Sequence, residues 1–505
     1  MVFNSYVFIL LFFPLTVAGY FLINKFCYGK NGVAGLFWLL GMSLVFYAYD
    51  EPASLLWFAV SILVNFFLGK LITDLKRKRT NRVNQQRFTM VVGIVFNVGL
   101  LMYFKYTGFL LDILNGLDRD NWISNITLPL GISFFTFSQI SYIVDCYREE
   151  KEFDYSFIEY AAYVTFFPKL VMGPIAYHSE IVPQFRERMK KQPNYNNLSC
   201  GFYVFALGLG KKVLIADTLA KFVNIGYVQP METMNSITAI IVILSYTLQL
   251  YFDFSGYCDM AVGAARMINI ELPYNFQSPY KAKSISEFWD RWHMTLTRFF
   301  TRYVYIPLGG SRKGKLRTYI NTMIVFLLSG LWHGAAWNFV FWGMLHGVLV
   351  NVEKIGRDLG ICFKKTIGIP GKIIDIVKWV ITFVVINITW VFFRAESVEQ
   401  GMALLKSVFS GGWKCPEYIT DIFEELIEIR LLSRFGLGNL LENHVDISMI
   451  GILAILVLCV FFQKNTQEKM QQPKYNWKRS ICTVGLMVWC VISLSGVSEF
   501  LYFNF

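Results

Sequence analysis

The sequence predicts an all-α polytopic membrane protein, and three observations carry that reading: its composition, the length of its apolar runs and the placement of its basic residues. Of its 505 residues, 55% are hydrophobic, 17% aromatic and only 16% charged, where soluble domains carry roughly a quarter charged residues. So little charge leaves more apolar surface than one water-soluble core can bury. Apolar runs stand at 5–24, 33–49, 53–73, 88–111, 198–220 and 236–252, and more follow in the C-terminal half. Each is close to the length of about 20 residues that a helix needs to cross a hydrocarbon layer, and about eleven spans are expected in all.

The basic residues fall between these runs. The formal charge of +12 therefore points to membrane orientation and not to nucleic acid. Lys76 to Arg87 holds six Lys/Arg and no acid, and Lys281 to Arg317 holds nine against Glu287 and Asp290. Both blocks are expected on the cytoplasmic side. No basic residue precedes the first run, while Lys25 and Lys30 follow it. That order is the reverse of a cleaved signal peptide and predicts a first helix with its N-terminus outside.

No internal repeat or low-complexity tract is visible, so residues 1–505 are expected to form a single transmembrane domain, with the catalytic core at about 245–355. Residues 395–447, acidic around Tyr418 to Glu428, are the longest candidate for an outside segment. The nine cysteines show no CxxC and no Cys/His cluster, and the five histidines show no HExxH, so neither a disulfide framework nor a metal is expected.

Between Gln249 and His346 the apolar pattern is interrupted by Asp253, Asp259, Arg266, Asp290, Arg291, His293, Arg298 and His333. Ionisable groups at membrane depth are costly and are read as functional by default. Asp259 and Arg266 fit a helix end equally well. Asp253 shares a helix face with Tyr246 and Gln249, and a polar face in a membrane helix should meet protein or water. The segment Lys281 to Arg317, with Trp289, Trp292, Phe299, Phe300, Tyr303 and Tyr305, reads as interfacial or re-entrant.

Tyr319 to Asn351 then runs 33 residues without Lys, Arg, Asp or Glu, between two basic flanks. Both ends are thus cytoplasmic, yet a passage out and back needs about 40 apolar residues. The limb from Tyr319 to Trp332 would rise only about 21 Å. Its turn should lie inside the membrane, at Leu331-Trp332-His333-Gly334-Ala335, where Gly330 and Gly334 permit a broken backbone. This puts His333 at depth, facing a cavity. Histidine is the side chain suited to accept a proton near neutrality, as acyl transfer to a hydroxyl requires. His178, His346 and His444 are read as structural.

Glu287-Phe288-Trp289-Asp290-Arg291-Trp292-His293-Met294-Thr295-Leu296, Tyr305-Ile306-Pro307-Leu308-Gly309-Gly310 and Leu331-Trp332-His333-Gly334 follow in order. So arranged, they resemble the membrane-bound O-acyltransferase family, most of all its bacterial alginate O-acetylation type. Teichoic acid D-alanylation and peptidoglycan O-acetylation proteins are relatives. Leu128 to Phe137, Phe167-Pro168-Lys169 with Gly173-Pro174-Ile175, and Tyr251 to Tyr257 extend the resemblance over most of the chain.

The resemblance implies a ring of helices around a thin centre, with a funnel from each face, in a bacterial cytoplasmic membrane. It makes His333 the essential histidine and His293 a second active-site histidine. Asp253, Ser255, Trp289, Asp290, Trp292 and Trp332 are the substrate-binding candidates, and Asp290 could hold the His293 imidazole. No cofactor is expected to be tightly bound. The expected donor is acetyl-coenzyme A or an acyl carrier, the expected acceptor an extracytoplasmic polysaccharide, and the expected partner a secreted or membrane-anchored acetyltransferase. Covalent transfer through Cys258, Ser255 or a histidine, D-alanyl transfer, and proton-coupled transport through Asp253, His293 and His333 are the alternatives.

Overall fold

The computed structural model describes residues 1–27, 33–77, 82–113, 127–149, 153–230, 234–360, 371–434, 441–442, 444–471, 476–494 and 500–501. Lys30, Lys78, Arg79 and Cys362 lie outside them. Among the described residues the fold is helical without strands. Inside a bilayer this is what the backbone requires, since a helix satisfies its own N–H and C=O groups without water.

Seven helices among the described residues are long and apolar enough to cross a membrane: Val7–Phe26, Ser54–Arg77, Val83–Leu111, Tyr195–Val228, Ser236–Met267, Gly371–Arg394 and Val445–Phe462. A shorter apolar helix, Ala34–Ala48, lies between the first two. Their burial separates centre from rim. Of the most apolar stretch of Ser236–Met267, 89% is buried in protein, against 17% for Val83–Leu111. The first is the axis of the bundle, and the second turns Phe88, Val91 and Val95 outward, where lipid would lie.

The central helix is held by close backbone approach. Helices Tyr195–Gly210 and Ser236–Met267 meet at paired glycines, and a Cβ on Gly208 would stand 2.6 Å from the Gly256 carbonyl oxygen. Small residues at such a contact let dispersion replace the hydrophobic effect, which is absent between helices in lipid.

The basic blocks share one face, as charge alone predicts. Lys76 Nζ donates to the Glu149 carbonyl at 2.7 Å, while Arg302 pairs with the Glu149 carboxylate at 2.6 Å. Lys283 pairs with Asp375, at the start of Gly371–Arg394, at 2.8 Å. By the positive-inside rule this face is cytoplasmic. From it Gly371–Arg394 rises about 36 Å, which delivers the segment after Arg394 to the opposite side. There the Gly411 carbonyl accepts from Ser236 N at 3.0 Å, at the outer end of the central helix.

Lys315–His333 and Trp337–Asp358 form a hairpin whose turn falls at His333 and Gly334, in the segment where length and charge place one. Their open ends are tied together at the basic face, where Tyr319 Oη donates to Asp358 at 2.7 Å and Lys354 Nζ donates to Thr322 Oγ1 at 2.7 Å. Near the turn they touch through glycine, since a Cβ on Gly330 would meet the Phe339 carbonyl oxygen at 2.3 Å. The outgoing helix stops at His333, and Gly334 takes up an extended conformation.

Candidate active site

Ending a helix inside a membrane leaves its last four carbonyls in need of donors. All four have one here. Gly334 N donates to Gly330 O at 3.3 Å, and Tyr106 Oη donates to Leu331 O at 2.6 Å. Lys105 Nζ donates to Trp332 O at 2.7 Å and to His333 O at 3.0 Å. Lys105 and Tyr106 come from a π-helical turn, Met102–Tyr106, that continues helix Val83–Leu101. The break that carries His333 is therefore fixed by residues more than two hundred positions away.

His333 is buried, and its ring packs on Trp332, Trp342 and Phe393 at centroid distances of 4.8, 5.3 and 5.1 Å. It also lines a cavity of about 680 Å³ with Trp332, Lys105, Tyr49, Leu128 and Met172. Tyr49 and Leu128 follow helices that run outward from the basic face, so this cavity opens to the extracytoplasmic side. A second cavity, of about 260 Å³, is lined by Trp289, Asp290, Thr297, Phe300, Ser329 and Lys354 on the cytoplasmic side. Ser329 of the inner cavity and His333 of the outer one lie one turn apart on the same helix, a rise of about 6 Å.

Aromatic rings fill the layer between the cavities. Trp332 stacks on Phe137 at 5.2 Å, and Phe137 stacks on Phe299 at 4.1 Å. His293 packs against this layer, 6.1 Å from the Trp332 ring and 4.8 Å from Phe254. The two histidines thus share contact with one indole.

His293 occupies a left-handed backbone position, with φ 45°, between the short helices Ile285–Arg291 and Met294–Phe300. A residue other than glycine seldom adopts that conformation without support. Asn275 supplies it. Its backbone carbonyl accepts from Met294 N at 3.0 Å, while its side-chain Oδ1 accepts from Thr295 N at 3.3 Å and from Thr295 Oγ1 at 2.6 Å and lies 3.3 Å from His293 Nδ1. One amide thereby caps the helix and fixes the imidazole. Asp290, the sequence candidate for that task, is exposed at the inner cavity instead.

The remaining candidates separate by surroundings. Trp289 lines the inner cavity and donates through Nε1 to His346 Nδ1 at 3.2 Å. Trp292 is packed inside an aromatic cluster with Phe288, Phe276 and Trp390. Asp253 is buried in an ion pair with Lys212 at 2.7 Å, and Lys212 also pairs with Asp217 at 2.9 Å. Ser255 accepts from Lys211 at 3.4 Å. Neither Asp253 nor Ser255 lines either of these two cavities. Cys258 Sγ accepts from the Asn275 amide at 3.2 Å, away from both cavities. Among the described residues there is no group of three or more His, Cys, Asp or Glu that could hold a metal ion.

Sequence reasoning did not single out Lys105 or Asn275. Lys105 carried a signal, being a lysine within the apolar run 88–111. Asn275 carried none, since it stands in a loop between Pro273 and Phe276.

The sequence has relatives among known proteins. The profile of the membrane-bound O-acyltransferase family matches residues 129–394, a span that contains both histidines and the hairpin. The chain is 36% identical to the peptidoglycan O-acetyltransferase of Helicobacter pylori, over 100% of this chain and 98% of that one. It is 37% identical to the probable alginate O-acetylase AlgI of Pseudomonas aeruginosa, over 94% of this chain and 85% of that one. Similarity to the teichoic acid D-alanyltransferase of Bacillus subtilis is 28% and covers 45% of this chain and 59% of that one. With a family match over more than half its length and relatives that align almost end to end, the chain belongs to the membrane-bound O-acyltransferase family.

Proposed function

We propose that the protein transfers an acetyl group from a cytoplasmic thioester to a hydroxyl of an extracytoplasmic glycan, with His333 as the general base. The observation that carries this reading is the position of His333 on the outer cavity, one helical turn from Ser329 on the inner cavity. A thioester entering from the basic face and a hydroxyl entering from outside then need to cross only a thin aromatic layer to meet.

The chemistry is an acyl exchange with no net redox change. The acceptor hydroxyl gives its proton to the His333 imidazole as its oxygen attacks the thioester carbon. The carbon–sulfur bond breaks, and the leaving sulfur takes up the proton from the imidazolium. A base so placed contributes about 10²–10⁴-fold to rate. His293, held by Asn275 beside the same indole, is suited to orient the thioester. The donor is acetyl-coenzyme A or an acetylated carrier, drawn by the basic cytoplasmic surface. No cofactor is required.

Near end-to-end similarity to two glycan O-acetylation proteins supports acetyl as the group and a polysaccharide or peptidoglycan as the acceptor. The half-length match to a D-alanyltransferase supports that alternative less. A secreted or membrane-anchored acetyltransferase is the partner that would complete a relayed transfer. The test compares acetyl ester content of surface glycan in cells carrying wild type, His333→Ala or no protein, with membrane levels fixed by immunoblot. Loss of ester in the last two, with His333→Ala present at the wild-type membrane level, supports the reading. Equal ester in all three refutes acetylation, and D-alanine esters are then measured in the same samples.

A further inference from the structure

Lys105 is a cation inside an apolar helix, and among the described residues no carboxylate pairs with it. Its hydrogen bonds go to backbone, to the carbonyls of Trp332 and His333 at 2.7 and 3.0 Å. Burial of a charge is costly unless the charge is compensated. The compensation here is the C-terminal end of helix Lys315–His333, which carries about half a negative charge. The helix end offsets part of the ammonium charge at the point where the chain turns back. Lys105 also lines the outer cavity together with His333, so its side chain can be reached from outside.

We infer that Lys105 is a positioning residue for acyl transfer: its ammonium, assisted by the Tyr106 hydroxyl, clamps the broken helix end so that the His333 imidazole is presented to the outer cavity. The inference rests on His333 being the base. The clamp acts on His333 through its own carbonyl, and displacement of a base by about 1 Å can cost on the order of a hundredfold in rate. A guanidinium can supply the same charge and donors from nearly the same place. A methionine fills the volume and supplies neither.

The test measures the initial rate of radiolabelled acetate incorporation into surface glycan ester, per unit of protein in the membrane. It compares wild type, Lys105→Met, Lys105→Arg, Lys105→Ala with and without propylammonium in the medium, and His333→Ala. Lys105→Met is expected to lose about tenfold to a hundredfold at normal membrane level. Lys105→Arg should regain a large part of the rate, and propylammonium should raise the Lys105→Ala rate at least about threefold by replacing the missing cation. A wild-type rate in Lys105→Met overturns the inference. So does loss of the variants from the membrane, or loss of rate with no response to either arginine or propylammonium, because the lysine is then a general anchor of the fold. Full activity in His333→Ala removes the underlying reading instead, whatever the lysine variants do.

Discussion

Asp253 and His333 looked alike in sequence, each an ionisable residue within an apolar stretch, and the structure sets them in opposite surroundings. Asp253 lies on the central helix, closed in by protein, with Lys212 at 2.7 Å and the Leu501 backbone N–H at 3.2 Å. His333 lies on a broken helix, its carbonyl held by Lys105 and its side chain on a cavity. Cost alone did not separate them, because both are expensive to bury. Access separates them. Asp253 is closed in by protein and paired with a buried lysine, whereas His333 lines a cavity that a substrate can enter.

The largest expected effect belongs to His333. His333→Ala should lower acetyl transfer by about 10²–10⁴-fold while membrane insertion and detergent melting temperature stay near wild type. A melting temperature that falls together with activity would make His333 a second Asp253, and the contrast would vanish.

The opposite pattern is expected at Lys212. Lys212→Met leaves Asp253 as a buried carboxylate without its nearest cation, and breaking such a pair costs about 3–5 kcal/mol of stability. Replacing both partners, as in Lys212→Met with Asp253→Leu, should recover most of that loss. Transfer rate per folded molecule should remain within about threefold of wild type, as for substitutions away from reacting groups. A hundredfold loss of rate in the folded double variant would return Asp253 to the substrate-binding role that its sequence position suggested.

Asn275 is intermediate, because it serves fold and site together. Asn275→Ala removes the cap of helix Met294–Phe300, worth about 1 kcal/mol, and frees the His293 imidazole. The rate should fall about tenfold to a hundredfold, more than the lost cap explains. Thr295→Val, which keeps Asn275 but removes the Oγ1 donor at 2.6 Å, should reproduce the stability loss with a smaller loss of rate. Equal rates in the two variants would show that only the cap matters.

What could be read in advance follows the range of each interaction. The helix break at His333 was legible because charge and length along one continuous segment determine where a chain must turn. The shared face of the basic blocks was legible for the same reason. The number of crossings was less so, since Ala34–Ala48 is short and the hairpin spends apolar residues without crossing. Pairings across the fold left no local mark. Lys212 precedes Asp253 by 41 positions, and Lys105 precedes His333 by 228. Asn275 reaches His293 only because Trp292 is extended and His293 is left-handed, a bend that no periodicity announces.

The smallest effect is expected at Asp290, which tests whether His293 is held by an amide or by a carboxylate. Asp290 is exposed at the mouth of the inner cavity, outside the membrane-spanning helices. Partial burial, then repulsion from Glu287 and Glu353, raises its pKa above the ordinary carboxylate value, and Arg291 and Arg357 oppose the shift. A carboxyl whose pKa is raised by folding favours the folded state while it is protonated, and this contribution disappears as pH rises through the folded value. Asp290→Asn should therefore leave stability unchanged in acid and raise it slightly at neutral pH. Removing one negative charge near an anionic donor should also lower the KM for acetyl-coenzyme A modestly, with kcat within about threefold of wild type. If instead kcat falls a hundredfold at unchanged KM, Asp290 acts on His293 in the working enzyme, and the Asn275 contact describes only the empty site.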